Sequence, residues 1–460
     1  MADDSTFLRF PDKFTWGTAT SAYQIEGSWN GENRGESIWD TFCHQPRKIL
    51  GGDTGDVACD HYRRWAEDLK LLTELEQKVY RFSIAWPRIF PFGKGTVNPL
   101  GLAFYDRLVD RLLDRKIKPV ITLYHWDLPQ ALEDRGGWAK RDTALYFAEY
   151  ARVLIRQFAD RVSQWITLEE PYNMVTQGYL TGRHAPGQRD TGTAFHVLHN
   201  VLLGHGLAVQ AMRDSARTPI QIGVALNLAP ISPATDTDKD RAAAKRFDGL
   251  LNRLFLDALY LGQYPEDVVK FIGSDFPSVP PNEMEIIPSP TDFLGVNYST
   301  RYVVQHDPDS RPMLASPVYP FGNEYSQMAE IYPAGIYEVL TRLRDEYQPP
   351  EIYITKNGVA VADGVDLDRR VRDSRRISYL RDHLAQVHRA IADGVPVSGY
   401  FVWSLLDNFE WNYGYRMRSG LTYVDYITQL RTIKDSGRWY AQVCKANGFD
   451  PQAIYAPAAS

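Results

Sequence analysis

The residues best equipped for chemistry in this sequence stand at the ends of short apolar or β-branched runs. Glu169 and Glu170 set two adjacent carboxyls at the end of one run, in TLEEP, and Lys356 sets an ammonium at the end of another, in ITKNG. His125-Trp126 and Asn297-Tyr298 close two more, Gln24 and Glu26 close the first, Arg81 lies within the second, and the last runs from Trp403 through Glu410 to Trp411. Hydroxyls need both donors and acceptors, while the C–H faces of a sugar ring want an aromatic floor. Amides, carboxylates, an imidazole and indoles gathered at one mouth therefore suit a small polyhydroxylated ligand. The 13% aromatic content, with 11 Trp and 27 Tyr, points the same way.

Such a gathering requires elements that bring the run ends together. The runs are Phe14–Tyr23, Val79–Trp86, Pro119–His125, Trp165–Pro171, Ile220–Leu228, Phe293–Ser299, Glu351–Asn357 and Val397–Leu405. Helical spacing separates them: Tyr62, Trp65, Leu69, Leu72 and Leu75 after the first, and Leu102, Tyr105, Leu108, Val109 and Leu112 after the second. Eight strand–helix units predict a single-domain (β/α)8 barrel over residues 1–460. No Gly-rich phosphate turn follows the first run, as an open dinucleotide-binding sheet would require. In a barrel the site lies at the C-terminal ends of the strands, where these polar residues fall. The Pro-rich stretch Phe276–Pro290 reads as a long loop of the βα side, and loops such as Gly182–Asp190 and Tyr302–Tyr325 are expected to shape the leaving-group region.

Composition narrows the partners. The formal charge of −6, with no run of Lys or Arg, leaves no footprint for nucleic acid. Cys43, Cys59 and Cys444 have neither disulfide-framework nor zinc spacing, and no nucleotide, flavin or metal motif occurs, so no cofactor is expected. The opening MADDSTFLRF has no apolar core of a signal segment, and no stretch has the ~18 apolar residues of a membrane span. The expectation is a cytoplasmic protein with a small-molecule partner, its oligomeric state open.

Five segments carry a specific resemblance: FTWGTATSAYQIEG (Phe14–Gly27), RFSIAWPRI (Arg81–Ile89), YHWDLP (Tyr124–Pro129), LGVNY (Leu294–Tyr298) and WSLLDNFEW (Trp403–Trp411). Together they resemble the signatures of family 1 glycoside hydrolases, the β-glucosidase family. The resemblance implies a pocket in which Gln24, His125, Glu410 and Trp411 bind hydroxyls of a non-reducing β-glycosyl unit over Trp403, with Trp126, Asn297, Tyr298 and Arg81 as further polar or aromatic members. It also implies an unphosphorylated glycoside, because relatives acting on 6-phosphorylated sugars typically carry Ser where Glu410 stands, and a carboxylate repels phosphate.

Two positions depart from the family pattern. TLNEP and TENG are usual; here Glu170 keeps the acid/base position, Glu169 replaces the Asn beside the sugar 2-hydroxyl, and Lys356 replaces the nucleophilic Glu. Three outcomes are open to such a sequence. Glu169 serves as a relocated nucleophile or base beside Lys356; or Glu169 and Lys356 form a buried ion pair in a binding-only homologue or inactivated variant; or Lys356 itself reacts, as a Schiff-base amine or in a lyase-type reaction. Where the protein hydrolyses glycosides, Glu170 needs a pKa raised toward neutrality to act as the acid.

Overall fold

A computed structural model describes residues 7–453 and Tyr455. Residues 1–6, within the opening segment read above, lie outside the described residues. Eight parallel strands close into a barrel: β1 (Thr15–Ala19), β2 (Val79–Ser83), β3 (Lys118–Tyr124), β4 (Gln164–Glu169), β5 (Gln221–Asn227), β6 (Phe293–Tyr298), β7 (Ile352–Asn357) and β8 (Val397–Trp403), with β8 pairing back onto β1. This is the (β/α)8 architecture that the alternating runs predict.

Strands covered on both faces must be apolar throughout, and every residue of β2, β4 and β6 is buried. Val79, Val120, Ile166, Ala225, Phe293, Tyr353 and Phe401 fill the barrel interior as a core of their own. Outside it pack the helices. His61–Glu74 turns Leu69 and Leu72 inward, and Pro99–Asp114 turns Leu108, Val109 and Leu112. The second begins where its sequence says: Pro99 takes the first turn, and the Asn98 side chain accepts from the Leu100 N–H at 3.2 Å.

Some expected elements differ. The first two runs overshoot, since Ala22–Ile25 and Trp86–Ile89 are single helical turns at strand ends; a short buried turn and a buried strand share the same apolar pattern. Phe276–Pro290 precedes β6 and so lies on the side entering the strand, opposite the βα loops, and includes the helix Pro281–Ile286. Within Tyr302–Tyr325, Tyr302–His306 pairs with Ala315–Val318 and with Ile231–Pro233, making a small three-stranded sheet. Among the described residues no helix is long and apolar enough to cross a membrane.

Candidate active site

Strand register assembles the polar rim. β6–β7 pairing sets Lys356 beside Asn297, and β5–β6 pairing sets Asn227 on the other side of Asn297. Glu169 ends β4, and the Glu170 N–H that follows donates to the Ala225 carbonyl of β5 at 2.8 Å. Asn297 is the hinge of the group: its Nδ2 donates to Glu169 Oε1 at 2.8 Å and to Glu170 Oε1 at 2.7 Å, while its Oδ1 accepts from Thr355 Oγ1 at 2.7 Å. Arg81 pairs with Glu169 Oε2 and is itself held by donation to the Thr355 carbonyl (2.8 Å) and Thr122 Oγ1 (3.0 Å). Lys356 Nζ pairs instead with Glu170 Oε1 at 3.1 Å and stands 4.3 Å from the Trp403 ring centroid. The Glu169–Lys356 pair, one of the three open outcomes, therefore does not form: Arg81, on β2 and so one strand nearer to β4 than Lys356 on β7, pairs with Glu169 instead.

These contacts set the charges. Burial pushes the Glu170 carboxyl up, but Lys356 and the amides of Asn297 and Asn173 outweigh it and hold it below the usual carboxylate range. The raised acid that the sequence required is thus absent in the free protein. Glu169 moves the other way, raised chiefly by burial against the pull of Arg81, with Glu170 adding to the rise. For Lys356, burial favours the neutral amine, yet Glu170, Glu169 and Glu410 prevail and keep it protonated. Glu410 is pushed up to about 7 by burial, partly countered by Lys356.

The mouth encloses about 250 Å³ and is lined by Trp126, Glu170, Asn297, Lys356, Trp403, Glu410 and Trp411 among others. Gln24 and His125 stand just behind this wall. Gln24 Nε2 reaches the Phe409 carbonyl (2.9 Å) and Glu410 Oε2 (3.5 Å), and the buried His125 ring lies 5.8 Å from both Trp403 and Trp411, its Nε2 unpaired among the described residues. Burial, with Lys356 and Arg81 nearby, keeps that imidazole neutral. Two further expected members are not pocket walls either. Tyr298 points away and donates to the Tyr332 carbonyl at 2.6 Å, because alternate residues of a strand face opposite sides. Arg81 lies inside the barrel, where it holds Glu169 and adds positive charge beside His125. Gln24, expected at a strand end, sits in the helical turn Ala22–Ile25, and Glu26 binds Arg88 at 2.9 Å.

Sequence reasoning passed over Asn173, Asn227, Asn412, Met328 and Glu330, which also line the cavity, and His184 and Tyr302 entered only as part of loops. Asn173 had a readable signal: three residues past Glu170, on the turn that begins at Pro171, its Nδ2 returns to Glu170 Oε2 at 2.7 Å. Trp126, Glu170 and Trp411 all take left-handed φ (75°, 44° and 49°), an arrangement uncommon outside glycine and concentrated at functional sites.

The described barrel and its rim match known proteins along nearly the whole chain. Residues 7–449 match the description "Glycosyl hydrolase family 1". The chain belongs to that family. Within it, the chain is 49% identical over 441 residues to the 1,4-beta-D-glucan glucohydrolase of Thermotoga neapolitana, covering 96% of this chain and 99% of the relative. It is 48% identical over 443 residues to Beta-glucosidase A of Thermotoga maritima, with coverage of 96% and 99%. A solved family 1 b-glucosidase from Thermotoga maritima superposes with a TM-score of 0.94 at 48% identity, covering 97% of this chain and all of that one. The same relative's beta-glucosidase in complex with deoxynojirimycin gives 0.94, with 96% of this chain covered. This family 1 member is accordingly a β-glucosidase-like glycoside hydrolase.

Proposed function

We propose that the cup takes the non-reducing unit of an unphosphorylated β-D-glucoside, and that Lys356 closes the double displacement usual in the family. The observation that carries this is the 3.1 Å pair between Lys356 Nζ and Glu170 Oε1, at the place where the resemblance requires a second carboxyl. An ammonium cannot attack the anomeric carbon, and its charge opposes an oxocarbenium-like transition state.

Glu169 is a poor substitute in this geometry. Both its oxygens are engaged, by Arg81 and by Asn297, and the side chain is fully buried. One Asn297 nitrogen bridges Glu169 Oε1 and Glu170 Oε1 at 2.8 and 2.7 Å, so these oxygens lie closer together than the ~6.5–9.5 Å that separates the carboxyls of an inverting pair around its water. Imine chemistry at Lys356 is opposed by the same carboxylates that keep it protonated. Glu170 remains the acid/base, and the protein holds β-glucosides while hydrolysing them, unaided, far more slowly than a member with two free carboxyls.

The test is turnover of an aryl β-glucoside alongside calorimetric binding of deoxynojirimycin. The unaltered protein should bind the inhibitor, Glu169→Gln should leave its slow turnover unchanged, and Lys356→Glu combined with Glu169→Asn should raise the rate by at least about 10³-fold. Rapid turnover by the unaltered protein, abolished by Glu169→Gln, would overturn the reading.

A further inference from the structure

A second cavity, sharing no lining residue with the cup, opens beyond the end of β3. It encloses about 270 Å³, close to the cup's 250 Å³, and its walls include Leu132, Arg135, Lys140, Arg141, Asp142 and Tyr146. Three cations thus share one space, in a chain whose formal charge is −6. A fourth, Lys94, stands at the edge: its Nζ donates to the Tyr146 hydroxyl at 2.8 Å and lies 4.4 Å from that ring's centroid. Of the four, Arg141 alone has an anionic partner among the described residues, Glu283, and it reaches that carboxylate through Nε, which leaves both Nη groups unengaged. The acids on the neighbouring turn are occupied elsewhere, since Glu133 accepts from Gln188 Nε2 and Asp134 from Gln130 Nε2, each at 2.8 Å. The helix Asp142–Phe158 also starts at this wall with no side-chain cap, so its positive end adds to the field.

Asp142 is the one acid in this wall, and it narrows the ligand. A carboxylate there works against a bare polyanion but accepts from hydroxyls, while buried Leu132 and the Tyr146 ring offer an apolar face. Guanidinium and ammonium groups converging from separate turns suit the several oxygens of a phosphate. We propose that this cavity binds a phosphorylated sugar. Arg135, Lys140 and Arg141 hold the phosphate, Leu132 and Tyr146 carry the ring, and Asp142 accepts from its hydroxyls. The cup, where Glu410 repels phosphate, and this second site would then take chemically distinct sugars, and the assignment does not depend on the reaction at Lys356.

The experiment is calorimetry on the full chain with the cup saturated by deoxynojirimycin, titrating glucose 6-phosphate, glucose and inorganic phosphate separately. Glucose 6-phosphate should bind saturably at one site, at least tenfold more tightly than glucose or phosphate alone, and more weakly as salt is added. Arg135→Glu combined with Lys140→Glu changes only exposed side chains; it should keep inhibitor binding and the urea midpoint while losing at least tenfold in affinity for glucose 6-phosphate. Asp142→Asn should weaken the sugar phosphate but not inorganic phosphate. Absence of saturable binding, or equal binding by the double variant, overturns the site. Inorganic phosphate binding as tightly as glucose 6-phosphate overturns the sugar assignment. Failure of deoxynojirimycin to bind would overturn the reading of the cup instead, and the difference between the chain and its double variant would still report on this cavity.

Discussion

Glu410 shows how one side chain's surroundings set a measurable property. Its carboxyl is pushed up to about 7 by burial, with Lys356 pulling the other way. A neutral sugar offering hydroxyl donors prefers the ionised form, so binding draws the proton off and affinity must rise with pH through that value. Calorimetric titration of a neutral glucoside should therefore show affinity increasing about tenfold from pH 6 to pH 8, the factor expected for a single such group, and Glu410→Gln should flatten the profile. Residue types made Glu170, Lys356 and Glu410 visible in the sequence. The pairing among them was not visible, because Arg81 and Glu169 are 88 positions apart and meet only across the barrel interior.

At the scale of elements, the ends of β7 and β8 and the segment after β8 must hold the cup's shape. A methyl group on Gly358 would stand 1.9 Å from the Trp403 carbonyl oxygen, a backbone atom with no freedom to yield. Gly358→Ala is expected to push these strand ends apart, costing roughly 1–3 kcal/mol and weakening inhibitor binding more than tenfold; denaturation and calorimetry measure the two effects. Asp407 anchors the segment that carries Glu410, accepting from Lys434 Nζ (2.7 Å), Arg418 Nη1 (2.7 Å) and the Gly420 N–H (2.9 Å). Asp407→Asn takes a carboxylate from the buried Lys434, which keeps only Asp363, and from the part-buried Arg418, and should cost on the order of 3 kcal/mol, read as a lower urea midpoint with unchanged slope. WSLLDNFEW marks Asp407 as part of a motif, but Lys434 and Arg418 come from outside it, so the anchor was legible only by half.

For the whole molecule, Asp127 governs part of the dependence of stability on pH. Both its carboxyl oxygens are buried without a hydrogen-bond partner among the described residues, and burial, only partly countered by Arg34, pushes it up to about 8. The folded chain keeps this proton where the unfolded chain, with an ordinary carboxyl, has lost it. Its contribution is therefore fully present below the ordinary carboxylate range and is lost as pH rises toward about 8, at roughly 1.4 kcal/mol per unit. Asp127→Asn should remove that share of the slope between pH 5 and 8 in denaturant midpoints, and an unchanged slope would contradict the assignment. By itself the sequence determined the barrel, its eight strands to within a few residues except where the first two overshoot, and the group of polar residues at one mouth, because strand burial and strand-end polarity are local patterns. Only the tertiary structure decided that Lys356 neutralises Glu170, that Arg81 takes Glu169 and that Tyr298 turns away. Those outcomes depend on distances across a closed barrel, where charges far apart in the chain compete for the same partner in a medium that screens them weakly.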